Sequence, residues 1–147
     1  LPAAKEAEDR QEASTAPVHE PDRRGIEKIL VVEDDHFVRG YAVATLESLG
    51  YTVITAADGR AALDRLTNGD APDLLFTDIV MPGGLNGLDL AERARTLWPQ
   101  LRVVFTSGYP LETLTARGKL NARTAILNKP YRKAELAQRI REALDGI

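Results

Sequence analysis

Ile29-Leu30-Val31-Val32-Glu33-Asp34-Asp35 runs four apolar residues directly into three carboxylates. A short, fully apolar, largely β-branched run is the pattern of a strand covered on both faces, as in a parallel sheet. Beyond it, Val38, Ala42, Leu46 and Leu49 recur at helical spacing until Gly50 supplies a C-terminal stop. The same alternation then repeats. Residues 52–55 read as a strand, Asp58-Gly59 as a turn, and Ala61, Ala62 and Leu66 as a short helix ending near Gly69. Residues 74–77 form the third strand. The loop Met81-Pro82-Gly83-Gly84-Leu85-Asn86-Gly87 leads to a helix with Leu90, Ala91, Ala94 and Leu97 inward, stopped by Pro99. Residues 102–106 are the fourth strand. Residues 111–120 carry only a loose apolar pattern that includes Gly118, so a fourth helix there is expected to be short or mobile. Residues 124–127 are the fifth strand, and Leu136, Ile140 and Leu144 line a closing amphipathic helix. Five strands alternating with helices predict an α/β fold, a doubly wound five-stranded parallel sheet in three layers.

Working outward, the chain of 147 residues carries a net charge of −3, is 44% hydrophobic and 28% charged, and contains no cysteine. That suits one domain with an appendage. Residues 1–28 are Ala, Glu, Pro, Arg and Asp with few large apolar side chains, and read as a disordered linker or tail; residues 29–147 read as the domain. Lack of cysteine excludes a disulfide framework, a thiol nucleophile and a zinc–thiolate site. Mild acidity gives no field for gripping a phosphate backbone, so nucleic acid is not expected as a partner. No apolar run approaches the roughly 20 residues that span a bilayer, and no signal peptide is evident. No coiled-coil heptad is seen, so a monomer is expected. The first residue is Leu1 rather than Met, which suggests a piece of something longer.

In doubly wound sheets, ligands sit beyond the C-terminal ends of the strands. Strand one ends in Glu33-Asp34-Asp35, whose mutual repulsion a hard divalent cation would relieve; the bland alternative is a solvated loop with a helix cap at Asp35. An oxygen-only donor set with few protein ligands suits Mg²⁺ better than Zn²⁺. Strand three ends in Asp78, which the fold sets beside Asp34 and which is either a nucleophile and ligand or a turn cap. Strand four ends in Thr106-Ser107-Gly108, a hydroxyl able to approach a phosphoryl oxygen or an ordinary turn. Strand five ends in Asn128-Lys129-Pro130, with an ammonium that is either a phosphate partner or a solvated surface charge. Each of these residues follows a different strand, yet the fold gathers them at one edge.

Those four motifs, in that order, resemble the receiver domains of two-component response regulators, most closely the C-terminal receivers of hybrid histidine kinases. The resemblance spans about residues 29–144. It implies the flavodoxin-like strand order 2-1-3-4-5 and phosphorylation of Asp78 by a histidine kinase or a histidine phosphotransfer protein. By the same resemblance Glu33, Asp34, Asp78 and the Val80 carbonyl would hold Mg²⁺, Thr106 would bind a phosphoryl oxygen, and Lys129 would pair with the phosphoryl group. A cis peptide between Lys129 and Pro130 is also implied, as is a cytoplasmic setting. Such a chain is a phosphoacceptor switch that assists its own phosphorylation and slow dephosphorylation, not a turnover enzyme. Its shifting surface would be the face of the fourth helix, fifth strand and last helix. It would serve as the C-terminal receiver of a hybrid kinase, as a stand-alone regulator, or as a docking module independent of phosphorylation.

Three features depart from the common pattern. The loop from Asp78 to Gly87 is one residue longer and holds Gly83-Gly84, which should reshape the turn before the third helix. Ile126 stands three residues before Lys129, where many receivers carry an aromatic ring that swings inward. Val104-Phe105-Thr106-Ser107-Gly108-Tyr109-Pro110 resembles a subgroup fused to hybrid kinases or used alone, in which phosphorylation orders the following segment. Trp98 reads as a helix-end packing residue, Tyr109 and Tyr131 as edge aromatics, and His36 as an exposed helix residue. Lys129, Arg132 and Lys133 form a small basic group. A phosphatase of the haloacid dehalogenase type would need a second acid at position 80, which is Val80, and a dinucleotide site would need glycines where Glu33-Asp34-Asp35 stand.

Overall fold

The computed structural model describes residues 27–81, 83–108 and 125–146. The strands are β1 Lys28–Val32, β2 Thr52–Ala56, β3 Leu74–Asp78, β4 Arg102–Ser107 and β5 Ile126–Asn128. All pair in parallel, in the order β2-β1-β3-β4-β5. The helices are α1 His36–Ser48, α2 Gly59–Thr67, α3 Gly87–Leu97 and α4 Lys133–Asp145. This is the doubly wound, flavodoxin-like topology expected. Residues 111–120, expected to form a short or mobile helix, lie outside the described residues, as do Tyr109 and nearly all of the leader.

The unbroken apolar run of β1 follows from its place in the sheet. Leu30 and Val32 enter the core under α2 and α3, with Leu75, Phe105 and Ile126. Ile29 and Val31 enter the opposite core under α1 and α4, with Leu74, Phe76, Val104 and Leu127. Side chains alternate across a strand, so a central strand must be apolar at every position to fill both cores. Each fully buried aliphatic side chain contributes about 2 kcal/mol.

Helix starts are fixed by side-chain caps. Asp35 Oδ1 accepts from the N–H groups of Phe37 and Val38 at 2.9 and 3.1 Å, Asp58 from Ala61 at 2.8 Å, and Asn86 from Asp89 at 2.8 Å. In α4 the Glu135 carboxylate reaches back to the Arg132 N–H at 2.8 Å.

The buried stripe of α2 runs through Gly59, Ala62 and Leu66. Leu97, expected inward, is instead 42% exposed. The helix ends beside it, and Trp98 takes the place against the core while its indole N–H donates to the Leu66 carbonyl at 3.3 Å. Lys28, grouped with the leader on composition, opens β1, and Glu27 before it is buried. Arg141 of α4 donates through Nη2 to Glu27 Oε2 at 2.7 Å, tying the start of the sheet to the last helix.

Candidate functional site

The strand ends place the acids by backbone pairing alone. Asp78, the last residue of β3, lies opposite Thr106 of β4. Beyond the ladder, the Ile79 N–H donates to the Thr106 carbonyl at 3.0 Å, the Glu33 N–H to the Ala56 carbonyl at 3.2 Å, and the Lys129 N–H to the Ser107 carbonyl at 2.8 Å. Glu33, Asp34, Asp78 and Lys129 are thereby gathered from three strands at one edge.

Their side chains meet. One carboxylate oxygen from each of Glu33, Asp34 and Asp78 lies within 4.8 Å of the others, the one such group of potential metal ligands among the described residues. Lys129 Nζ stands 2.8 Å from Asp78 Oδ2 and 2.9 Å from Glu33 Oε1. Glu33 and Asp78 are buried, whereas Asp34 faces solvent. Three carboxylates against one ammonium leave a local excess of two negative charges. All donors are oxygen, so the set suits a hard divalent ion such as Mg²⁺. Of the three consecutive acids, Asp35 is the helix cap, and its own N–H donates to Glu33 Oε2 at 3.1 Å.

Electrostatics follow from this crowding. Burial pushes the Glu33 carboxyl above its ordinary value, with the Asp78 charge adding to the rise, while Lys129 and the Asp35 N–H oppose it without cancelling it. Burial by itself would lower Lys129; its hydrogen bonds to Asp78 and Glu33 outweigh that, and the ammonium is held above its usual range. Hydrogen bonds from the N–H groups of Val38 and Phe37 lower Asp35.

The backbone around Asp78 is tightly seated. Thr77 Oγ1 donates to the Asp78 carbonyl at 3.0 Å, and the Gly87 N–H donates to the Ile79 carbonyl at 2.8 Å. Gly83 and Gly84 adopt φ of 92° and 83°, a left-handed pair in the loop that leads to α3. Val80 is 53% exposed on that loop. Thr106 is buried at 2% exposure, and the Lys129-Pro130 peptide is cis. His36 is exposed at the start of α1, as expected. Of the small basic group, Lys129 is committed to the acids, while Arg132 and Lys133 face solvent at the start of α4.

Tyr131 is the residue that the sequence undervalued. It is 8% exposed, and its ring centroid lies 6.0 Å from Phe76 and 5.7 Å from Tyr41. Burial raises its phenol, as do the nearby charges of Glu33, Tyr41 and Asp78. Its position two residues after Lys129 was the available signal.

Residues 29–141 match the family model of the response regulator receiver domain. The chain is 34% identical over 119 residues to the response regulator receiver protein CpdR of Brucella abortus, covering 81% of this chain and 98% of that protein. It is also 34% identical over 125 residues to the sensor kinase CckA of the same organism, covering 84% of this chain but 13% of the kinase. Among solved structures, the receiver domain of hybrid histidine kinase CckA superposes with a TM-score of 0.66 at 36% identity, over 80% of this chain and 98% of that one. A response regulator receiver protein from Sinorhizobium medicae superposes with a TM-score of 0.73 at 27% identity, over 81% and 94% respectively.

Proposed function

The chain belongs to the response regulator receiver family, and we propose that it is a phosphoacceptor switch in which Asp78 takes a phosphoryl group from phosphohistidine. The observation that carries this reading is Lys129 Nζ held 2.8 Å from Asp78 Oδ2 at an edge where Glu33, Asp34 and Asp78 converge within 4.8 Å.

Asp78 attacks phosphorus through its other oxygen. The phosphorus–nitrogen bond of the donor breaks, its electron pair stays on the imidazole, and an acyl phosphate forms on Asp78. Lys129 exchanges its bond to Asp78 for one to a phosphoryl oxygen, and the Thr106 hydroxyl donates to another. Glu33, Asp34, Asp78 and the Val80 carbonyl would hold Mg²⁺, which when bound offsets the charge of the phosphoryl oxygens. Water later cleaves the acyl phosphate slowly and restores the carboxylate.

The donor is a histidine kinase or a histidine phosphotransfer protein in the cytoplasm, and the chain serves as the C-terminal receiver of a hybrid kinase. Its likeness to CckA supports that setting. The near full-length match to CpdR favours, as a second reading, a regulator that stands alone.

Intact-protein mass after incubation with acetyl phosphate tests the phosphoacceptor reading. A phosphoryl adduct is expected with Mg²⁺ and not with EDTA or in Asp78→Asn. An adduct that persists in Asp78→Asn would overturn the assignment. No adduct from acetyl phosphate, together with no amide shift on adding beryllofluoride and Mg²⁺, would favour a docking module.

A further inference from the structure

Ile126, three residues before Lys129, is buried in the core under α2 and α3 and offers no ring to swing. An aromatic row does begin at the site, on the opposite face of the sheet. Phe76 lies two residues before Asp78 on β3, Tyr131 lies two residues after Lys129, and Tyr41 lies on α1. Phe76 meets Tyr131 edge-on at 73°, and Tyr131 meets Tyr41 tilted at 42°. Exposure rises along the row, from 3% at Phe76 through 8% at Tyr131 to 45% at Tyr41.

From this arrangement we infer that Tyr131 carries the occupancy of the Asp78 site to the exposed face of α1 by moving Tyr41. The inference rests on the phosphoacceptor reading and concerns how that same site is reported.

The packing sets the direction of the signal. Lys129 binds both Asp78 and Glu33, so a phosphoryl group on Asp78 draws the ammonium to a new partner and displaces the segment that carries Tyr131. A ring packed at interior density cannot shift without displacing a neighbour. Phe76 is locked in the centre of the sheet, in β3 between β1 and β4. Tyr41 has solvent on one side and is the ring free to give. Phe37, 84% exposed one helical turn before Tyr41, lies on the same stretch of α1, so the displaced ring alters a surface that already presents apolar area.

The test is an NMR titration of the full chain with tyrosine labelled at the ring ε-carbons, adding beryllofluoride and Mg²⁺. Tyr41→Phe assigns the Tyr41 signal, and the Thr106 amide reports filling of the site. In the unmodified protein the Tyr41 and Thr106 signals are expected to move together and saturate at the same concentration. In Tyr131→Leu, and in the gentler Tyr131→Met should the first not fold, the Thr106 amide should still move while the Tyr41 shift falls at least threefold. Tyr131→Phe should keep it. A Tyr41 signal that stays put while Thr106 moves, or that moves equally without the ring at 131, would overturn the inference. A Thr106 amide that never moves would instead fail the phosphoacceptor reading, and the inference with it.

Discussion

Gly87 packs directly against the backbone of Asp78: a Cβ at position 87 would stand 2.9 Å from the Asp78 carbonyl carbon and overlap its oxygen. The first residue of α3 therefore seats the proposed phosphoacceptor. Gly87→Ala must push either the helix or the β3 end aside. We expect a loss of about 2 kcal/mol in urea denaturation and a drop of about tenfold or more in the rate of acetyl phosphate labelling. Unchanged labelling would show that α3 gives way instead of Asp78.

Lys129 neutralises part of a cluster of three acids. In Lys129→Met that relief is gone, and without metal the protein should lose about 1–2 kcal/mol, a value reduced for partial exposure of the pair. Millimolar Mg²⁺ should recover more stability in this variant than in the unmodified chain. Thermal melts in EDTA and in Mg²⁺ check this, and equal gains for both proteins would count against a shared cation site.

Glu33 titrates above its ordinary value of 4.5 in the fold. A raised carboxyl binds its proton more tightly when folded, so its contribution to stability is full below 4.5 and is lost as pH rises through the folded value. In EDTA, the stability of the unmodified protein relative to Glu33→Gln should therefore fall as pH climbs from 4.5. Urea midpoints measured across pH 4 to about 7 provide the check, and a difference that grows with pH would refute it.

Gly40 sits in the interior of α1, is exposed, and has no atom within 4 Å of where a Cβ would lie. Its backbone is not left-handed, so nothing inside the molecule requires glycine. Gly40→Ala should stabilise the chain by about 0.5–1 kcal/mol. Denaturant midpoints at neutral pH would reveal it, and a loss would mean that α1 is strained at this position.

The strands and the acidic edge were legible because both depend on local order. An apolar run ending in a carboxylate marks a strand and its acidic end at once, as at Val32-Glu33 and Thr77-Asp78. What the sequence could not convey was which of two adjacent positions faces the core where a helix ends, as at Leu97 and Trp98. Equally hidden was the pairing of Glu27 with Arg141, separated by 114 positions. No periodicity encodes such a contact, and it drew Glu27 and Lys28 into a fold whose composition seemed to begin at Ile29. The wedge of Tyr131 between Phe76 and Tyr41 is of the same kind, a meeting of three elements distant along the chain.

The Glu27–Arg141 clamp has a consequence for how this unit is carried. Glu27 precedes the first strand, and Arg141 also holds Asp145 near the end of the last helix, with Nη2 at 2.9 Å from Asp145 Oδ1. Entrance and exit of the fold thus share one corner, at the end of the sheet away from Asp78. Both points of attachment of the folded unit therefore lie at the opposite end of the sheet from the acidic edge.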